Sequence, residues 1–234
     1  MIKSEIKVSL KNIHLKIDQK KLFTDLSSEI LGSGISVILG PNGSGKTMLL
    51  KIINGIVKPN SGKIYLKKRN NKLSLSYASQ KIIMLRRNVY ENLRFALSMK
   101  GLEKKLTHQR ILYLLKFFEL EDKINFSARK LSAGKKQYLS VIRALSLDSD
   151  IILLDEPCSN LDHRSTKKIE DFLLNEKQRG KKLIIVTHDI FQAKRLADEI
   201  IFLRNGEIIS QTSKTKFFLS NNSMVKKFVG GKLI

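Results

Sequence analysis

Residues 40–47 read G-P-N-G-S-G-K-T, and they directly follow an apolar run at 35–39. That run is short, rich in β-branched residues and bounded by glycines, so it predicts a buried strand. The residues at 48–53 have the spacing of a helix, and Gly55 suits its C-terminal cap. Strand, glycine-rich loop and helix form the context that the phosphate-loop pattern G-x-x-x-x-G-K-[ST] requires. The sequence therefore predicts a nucleotide-binding loop at residues 40–47.

The chemistry of a bound phosphate explains the residue types in this loop. Gly43 and Gly45 let the backbone curl until successive amides point at one anion, and the helix start adds its positive dipole end. Lys46 supplies a mobile charge for the β- and γ-phosphates, and Thr47 offers its hydroxyl to Mg²⁺. A glycine turn with an incidental lysine is the alternative, which the preceding strand disfavours. The predicted nucleotide contacts are Gly40, Pro41, Asn42, Gly43, Ser44, Gly45, Lys46 and Thr47.

The composition is that of a globular protein. Hydrophobic residues make up 42% of the 234 residues, which is enough for a sizeable core. The apolar runs are far shorter than the roughly 18 residues that a membrane span needs, and the N-terminal residues do not resemble a signal peptide. The single cysteine, Cys158, cannot form an internal disulfide and suits a reducing cytoplasm.

The charge of the chain is unusual, because 44 basic and 21 acidic residues give a net charge of +23. Such an excess is typical of nucleic-acid-binding proteins. However, 33 lysines stand against only 11 arginines, and Asn and Ile are also plentiful, which is what an A/T-rich coding sequence would produce. We therefore favour a compositional origin over a nucleic-acid site. Attraction to anionic lipid headgroups is a third explanation.

Apolar strands that alternate with helices predict an α/β fold with a mostly parallel core sheet. Alternation at 5–17 predicts two short strands that begin an antiparallel β-subdomain, whereas residues 85–130 contain no strand signal. Asn88 and Ser132 are suited to cap helices, Thr107 is expected to open another, and Asn205-Gly206 predicts a hairpin turn. We expect one domain over 1–234, in which a core and β-subdomain at 1–84 and 150–211 receive a helical subdomain at about 85–149, with short helices at 212–234.

Ligands of such sheets bind at the carboxyl ends of the strands, and three predicted strand ends carry reactive groups. The first is the phosphate loop. The second is Asp155-Glu156, where Asp155 would hold Mg²⁺ and Glu156 would take a proton from the attacking water. The third is His188. A simple strand cap at Asp155-Glu156 and a structural role for His188 are the alternatives, and the phosphate loop upstream favours the functional interpretation.

Six motifs follow one another in a fixed order and spacing, namely 40–47, Gln80, 131–137, 151–157, 159–162 (which includes Asn160) and His188. Over roughly residues 6–211 they resemble the motifs of ATP-binding-cassette (ABC) ATPases, which are phosphate-loop NTPases. The resemblance implies that two copies sandwich two ATP molecules head to tail, each site pairing one phosphate loop with the signature, Ser132 and Gly134, of the other copy. It also implies that Gln80 contacts Mg²⁺ or water and senses a membrane partner, that His188 holds the γ-phosphate, and that Asp162 couples the sites.

The chain departs from the family pattern in two places. The usual signature is Leu-Ser-Gly-Gly-Gln, but Ala133 and Lys135 stand at its third and fifth positions. Alanine keeps its amide if its φ is negative, and Lys135 either adds charge near a phosphate or reflects the lysine bias. The family also stacks an aromatic ring on adenine. Ile17 occupies that position here, and Phe23 is the nearest aromatic residue.

The resemblance implies an ATPase, with ATP and Mg²⁺ as cofactors, on the cytoplasmic side of the inner or plasma membrane. Expected partners are transmembrane permease subunits, a second copy in the ATP-bound state and, for an importer, a substrate-binding protein. Nucleic acid is not expected. Residues 81–93 resemble the ATPases of tungstate-type oxyanion importers. Importers of phosphate or amino acids, exporters, and a soluble cassette ATPase acting on nucleic acid or cofactor assembly are the alternatives.

Overall fold

Nine strands and eight α-helices make up the part of the chain that the computed structural model describes, namely residues 6–68, 73–159 and 161–231. Asn160 lies outside these residues. The strands are β1 Ile6–Ile17, β2 Lys20–Leu31, β3 Gly34–Leu39, β4 Ser61–Lys68, β5 Leu75–Ala78, β6 Ile151–Asp155, β7 Lys182–Thr187, β8 Glu199–Arg204 and β9 Glu207–Ser213. The α-helices are α1 Lys46–Ile53, α2 Val89–Ser98, α3 Lys104–Phe117, α4 Ala133–Ser146, α5 His163–Gln178, α6 Ile190–Leu196, α7 Lys214–Phe218 and α8 Ser223–Val229.

The larger sheet places the predicted reactive groups side by side. Its strand order is β5-β6-β7-β3-β8-β9, and all neighbours pair in parallel except β8 and β9. Every residue of β3, β6 and β7 is buried, as expected for strands that helices cover on both faces. Because these three strands are neighbours and run in the same direction, their carboxyl ends meet at one edge. The predicted α/β class is confirmed.

The smaller sheet is antiparallel, with the strand order β2-β1-β4. The prediction of two short strands at 5–17 is wrong, since β1 is continuous and changes register between Leu10 and Ile13. At this irregularity Asn12 has a φ of 50°, its side chain donates to Asp25, and its amide donates to the hydroxyl of Ser27. These bonds hold the extra residue as a bulge, so that the apolar alternation resumes on the same strand.

The helix caps mostly follow the sequence. The side chains of Asn88, Ser132 and Asp162 accept hydrogen bonds from backbone amides at the starts of α2, α4 and α5. Thr107 does not open α3, which begins three residues earlier with Glu103 at its cap and no side-chain bond there. Thr107 is buried inside the first turn and donates its amide to the Glu103 carbonyl. The N-cap preference of threonine was therefore misleading at this position, because threonine is also tolerated inside a helix.

Helices, including two short 3-10 turns, make up the regular structure between β5 and β6 in the described residues. They pack through apolar side chains such as Leu93, Ile111, Leu114 and Leu139 into one core with the larger sheet. The subdomain bounds stay a prediction. Over the described residues, the structure holds no helix that has both the length and the apolar character of a membrane span.

Asp150 fastens the start of β6 to the two strands that precede it in sequence. Its carboxylate accepts hydrogen bonds from Nζ of Lys68 at 2.5 Å and from the amide and hydroxyl of Ser74 at 3.0 and 2.8 Å. Burial opposes ionisation of this carboxyl, but the bonds from Lys68 and Ser74 outweigh that effect and lower the pKa of Asp150 to about 2. Asp150 therefore stabilises the fold in its charged form.

Candidate nucleotide-binding and catalytic site

The phosphate loop lies between the end of β3 and the start of α1, as predicted. Gly45 caps α1 with a φ of 103°, in the left-handed region that favours glycine. A side chain at Gly45 would also collide with the ring of Phe23, because a Cβ atom there would lie 2.8 Å from Cε1 of that ring. The loop is therefore shaped by its own backbone and by an aromatic ring from β2 beneath it.

Lys46 is held inside this loop. Its Nζ donates to the carbonyl oxygens of Gly40 at 2.7 Å and Pro41 at 2.8 Å, and the side chain is buried. Burial lowers the pKa of the Lys46 ammonium, while the charges of Glu156 and Asp155 oppose that shift. A phosphate oxygen that reached this ammonium would meet a cation already desolvated and oriented, which strengthens its electrostatic effect.

Thr47 and Asp155, which are both predicted to hold Mg²⁺, are in contact. The hydroxyl of Thr47 donates to Oδ1 of Asp155 at 2.9 Å, and the hydroxyl of Tyr77 donates to Oδ2 at 3.4 Å. Burial raises the pKa of the Asp155 carboxyl, against the effect of the Thr47 bond. A cation beside this buried carboxylate would favour its charged form.

The oxygen donors at this position fit Mg²⁺. Thr47 supplies a hydroxyl oxygen, and Asp155, which it contacts, supplies a carboxylate. Gln80 carries an amide oxygen and lines the same cleft as Thr47. Mg²⁺ is commonly held by one or two carboxylates together with substrate phosphates. The described residues contain no group of three His, Cys, Asp or Glu side chains that could hold a metal on its own. Phosphate oxygens would thus have to complete the coordination.

Glu156 follows β6 in a strained turn. It has a φ of 49°, and a left-handed backbone at a residue other than glycine costs about 1–2 kcal/mol. Its Oε1 lies 2.7 Å from Nδ1 of His188, at the end of the neighbouring β7, and its Oε2 accepts from the hydroxyl of Thr187 at 3.4 Å. Most of the Glu156 side chain is buried, whereas His188 is more than half exposed. The structure therefore brings two predicted catalytic residues into direct contact.

A cleft of about 310 Å³ is lined by seven of the predicted site residues, from the phosphate loop, the turn after β6 and the segment after β5. Glu156 and Gln80 line this cleft together with the phosphate loop, so a phosphate bound there would have Lys46 and the Glu156 carboxylate in the same cleft. Gly40 and Pro41 lie behind Lys46, and Ser44 is buried with its hydroxyl unpaired within the described structure. The lining residues are Leu22, Asn42, Gly43, Gly45, Lys46, Thr47, Met48, Gln80, Glu156 and Val186.

A second cleft of about 690 Å³ adjoins the first and shares Leu22 and Gly43 with it. Ile17 lines this cleft and is 38% exposed, which is the position expected for an adenine contact. Phe23 is 1% exposed beneath Gly45. Phe23 is thus excluded as the residue that stacks on adenine, because its ring belongs to the core below the loop.

The signature residues lie elsewhere in the chain. Ser132, Gly134 and Lys135 line a third cleft of about 300 Å³, together with the cap residue Asp162, and this cleft shares no lining residue with the first. Ala133 is the first residue of α4 and is not among the residues of positive φ, so its amide keeps the orientation of a helix start. One copy of the chain therefore does not bring the signature and its own phosphate loop together.

The sequence interpretation missed two contacts of this site. Tyr77 donates to Asp155 from β5, and Gln137 donates its side-chain amide to the carbonyl oxygens of Glu156 and Pro157. Gln137 is 4% exposed, and its place on the buried face of α4, four residues before Val141, was the available signal. Cys158 is next to this turn, and burial raises the pKa of its thiol to about 12.

Comparison with known proteins agrees with this geometry. The family model described as ABC transporter matches residues 23–159. The methionine import ATP-binding protein MetN of Lactobacillus johnsonii is 32% identical over 245 residues, which cover 97% of this chain and 70% of that protein. The tungstate uptake system ATP-binding protein TupC of Peptoclostridium acidaminophilum is 34% identical over 189 residues, covering 79% of this chain and 88% of that one.

Solved structures give the same result. A dimeric ATP-binding cassette in a post-hydrolysis state, bound to ADP and Pi, superposes with a TM-score of 0.78 at 29% identity, covering 88% of this chain and 98% of that chain. Since the family model covers more than half of the residues and the relatives cover nearly all of them, the chain belongs to the ABC transporter family and is one of its ATPases.

Proposed function

We propose that this chain is the ATP-hydrolysing subunit of an ABC importer and binds transmembrane permease subunits on the cytoplasmic side of the membrane. The observation that carries this proposal is its similarity to import ATPases along almost the whole chain. The Glu156–His188 contact beside the phosphate loop supports hydrolysis as the source of work. A substrate-binding protein would deliver the solute on the other side of the membrane.

The geometry suggests how each group acts. The loop amides and Lys46 hold the β- and γ-phosphates. Thr47, Asp155 and Gln80 would hold Mg²⁺, which would supply positive charge to the phosphate oxygens. Glu156 accepts a proton as a water oxygen attacks the γ-phosphorus and the bond to ADP breaks. His188, whose Nδ1 is engaged by Glu156, presents its other ring nitrogen to the γ-phosphate.

The separate signature cleft supports a head-to-tail homodimer in the ATP-bound state. Ser132 and Gly134 begin α4, where backbone amides and the helix dipole attract anions. In this proposal the helix start points at the γ-phosphate bound by the other copy, and Lys135 adds a further positive charge there. Closing the dimer would exclude water and so strengthen the stabilisation of charge during phosphoryl transfer.

We further propose that the imported solute is an oxyanion such as tungstate. Residues 81–93, which run from the loop after β5 into α2, resemble the corresponding segment of tungstate-type ATPases, and the tungstate uptake relative supports the same choice. In this segment Ile83 is 61% exposed and the Arg87 guanidinium lies 5.1 Å from the ring centroid of Phe95. An amino acid such as methionine is the alternative, because the methionine import relative covers more of the chain.

Uptake measurements in a strain that lacks the gene test this proposal. We expect loss of the gene to reduce uptake of tungstate and molybdate, with methionine and phosphate uptake unchanged, and the wild-type gene to restore it. A gene encoding Lys46→Ala should not restore uptake, because the phosphate-binding charge is gone, and it serves as the matched control for expression. Loss of methionine uptake alone would contradict an oxyanion as the imported solute, but it would still agree with a role in an importer.

Fractionation of cell membranes tests the importer itself. We expect the chain to co-purify with permease subunits in the membrane fraction, and we expect part of it to stay bound after a wash with salt. Recovery only with nucleic acid or ribosomes would instead support a soluble cassette ATPase, for which the net charge of +23 is the relevant observation.

A further inference from the structure

We propose that Gln137 is a positioning residue that fixes the Glu156 turn to helix α4 and thereby couples the two ATP sites of the dimer. The inference rests on the proposed function, since it needs the head-to-tail arrangement. In that arrangement one chain contributes Ser132 to the partner's ATP and Glu156 to its own. Gln137 joins these two parts of the chain.

The Gln137 side chain spans from α4 to the catalytic turn. Its Nε2 donates to the carbonyl oxygen of Glu156 at 3.2 Å and to that of Pro157 at 3.0 Å, and the side chain is 4% exposed. A buried donor shared between two carbonyls is a specific link, because losing it removes one hydrogen bond from each of two backbone acceptors in a dry environment. The link does not pass through the phosphate loop or through Asp155.

The turn that Gln137 holds depends on outside support. Glu156 has a left-handed backbone, with a φ of 49°, and such conformations persist only when their surroundings determine them. The Glu156 amide donates to Val186 on β7, while its carbonyl accepts from Gln137 and from the amide and hydroxyl of Ser159. Ser159 belongs to the same turn, so Gln137 is the contact to the Glu156 carbonyl that comes from a different element. The position of the Glu156 backbone, which carries the carboxylate, therefore depends on where α4 lies.

Helix α4 in turn depends on what its first residues bind. Ser132 caps the helix, and Gln137 lies five residues later, about 7 Å further along a rigid helix. When the partner's γ-phosphate pulls the start of α4 into place, the amide of Gln137 moves with it. The carboxylate of the same chain is then set for hydrolysis. Because coupling of this kind is reciprocal, occupancy of one site should also alter ATP affinity at the other.

Gln137→Met tests the link, with Asn92→Leu as the matched control. Asn92 is also fully buried, and its side-chain amide donates to two backbone carbonyls, those of Arg87 and Asn88, neither of which belongs to the Glu156 turn. We expect Gln137→Met to lower kcat by about tenfold or more, to leave KM for ATP within about twofold because the phosphate loop is untouched, and to reduce the Hill coefficient for ATP towards 1. The control should lower the melting temperature by a similar amount and change neither kinetic parameter.

Ser159→Ala separates positioning from coupling. It removes one bond to the Glu156 carbonyl without touching α4, so we expect a lower kcat with the Hill coefficient unchanged. If Gln137→Met fails to fold, Gln137→Glu carries the test, because it keeps the side-chain volume and replaces the donating amide with an accepting carboxylate.

Each result decides one part of the proposal. A kcat for Gln137→Met within about twofold of the Asn92→Leu control would overturn positioning. A wild-type Hill coefficient of 1, or one that Gln137→Met leaves unchanged, would overturn coupling. Failure of the proposed function itself would give a different result. The wild type would then hydrolyse no ATP, or substitution of Ser132 would leave its ATP hydrolysis unchanged.

Discussion

Oε1 of Glu156 and Nδ1 of His188 are 2.7 Å apart at the carboxyl ends of adjacent strands. The contact orients the carboxylate beside the phosphate loop, in the same cleft as Lys46. This position makes Glu156 the candidate general base, since a base must lie within reach of the water whose proton it takes.

Glu156→Gln should retain ATP binding and lose turnover by about a hundredfold or more, the usual contribution of a general base. Because the amide keeps the shape of the site, the ATP-bound dimer should accumulate, and size-exclusion chromatography with MgATP would detect it. Phosphate release measures turnover, and Glu121→Gln at a 3-10 turn away from the cleft is the control. Undiminished hydrolysis would remove Glu156 from the role of base.

Ile17→Tyr should tighten ATP binding by about five- to tenfold, the lower part of the range for stacking of a base on an aromatic ring. Ile17 lines the cleft beside the phosphate loop, and Phe23 cannot cover the base because it is buried. Titration with a fluorescent ATP analogue measures the affinity, and Ile17→Leu is the control for side-chain volume. Equal affinity of all three proteins would show that adenine binds away from Ile17.

Asp150→Asn should lower the free energy of unfolding at neutral pH by about 2 kcal/mol. This value follows from the pKa of Asp150, which folding lowers from its ordinary value of 3.8 to about 2. The sign follows from linkage. A depressed folded-state pKa stabilises the protein above the unfolded-state value, and that contribution is lost as pH falls from about 4 to about 2. Urea unfolding across this range should show a steeper acid limb for the wild type than for the variant. Parallel curves would contradict the role of Asp150.

Nucleotide-free protein should be monomeric at low ionic strength, because two copies of charge +23 repel each other. Salt shortens the range of this repulsion, from about 30 Å at 0.01 M to about 8 Å at 0.15 M, and MgATP binding across the interface adds free energy to the dimer alone. Sedimentation of the Glu156→Gln variant with both additions should show the dimer. A stable dimer without nucleotide at low salt would be inconsistent with this account.

Local rules predicted the elements that position the site, because each depends on nearby residues. The glycine pattern at 40–47, the apolar strands before Asp155 and His188, and the cap at Ser132 all follow from backbone geometry and periodicity. The bulge at Asn12 was not predicted, since its bonds reach Asp25 and Ser27 on another strand. Tyr77 and Gln137 were missed for the same reason, because hydrogen bonds between distant elements have no sequence period.

The ring of Phe23 beneath Gly45 ties the antiparallel sheet to the chemistry of the site. Substitutions in the interior of that sheet lie far from any phosphate, but they should still disturb the phosphate loop. Mild substitutions should therefore slow the growth of cells on a scarce nutrient, and only more severe ones should also reduce the amount of the protein. A screen for strains with this growth defect would recover mutations that impair transport at buried positions, where a role in stability alone would otherwise be expected.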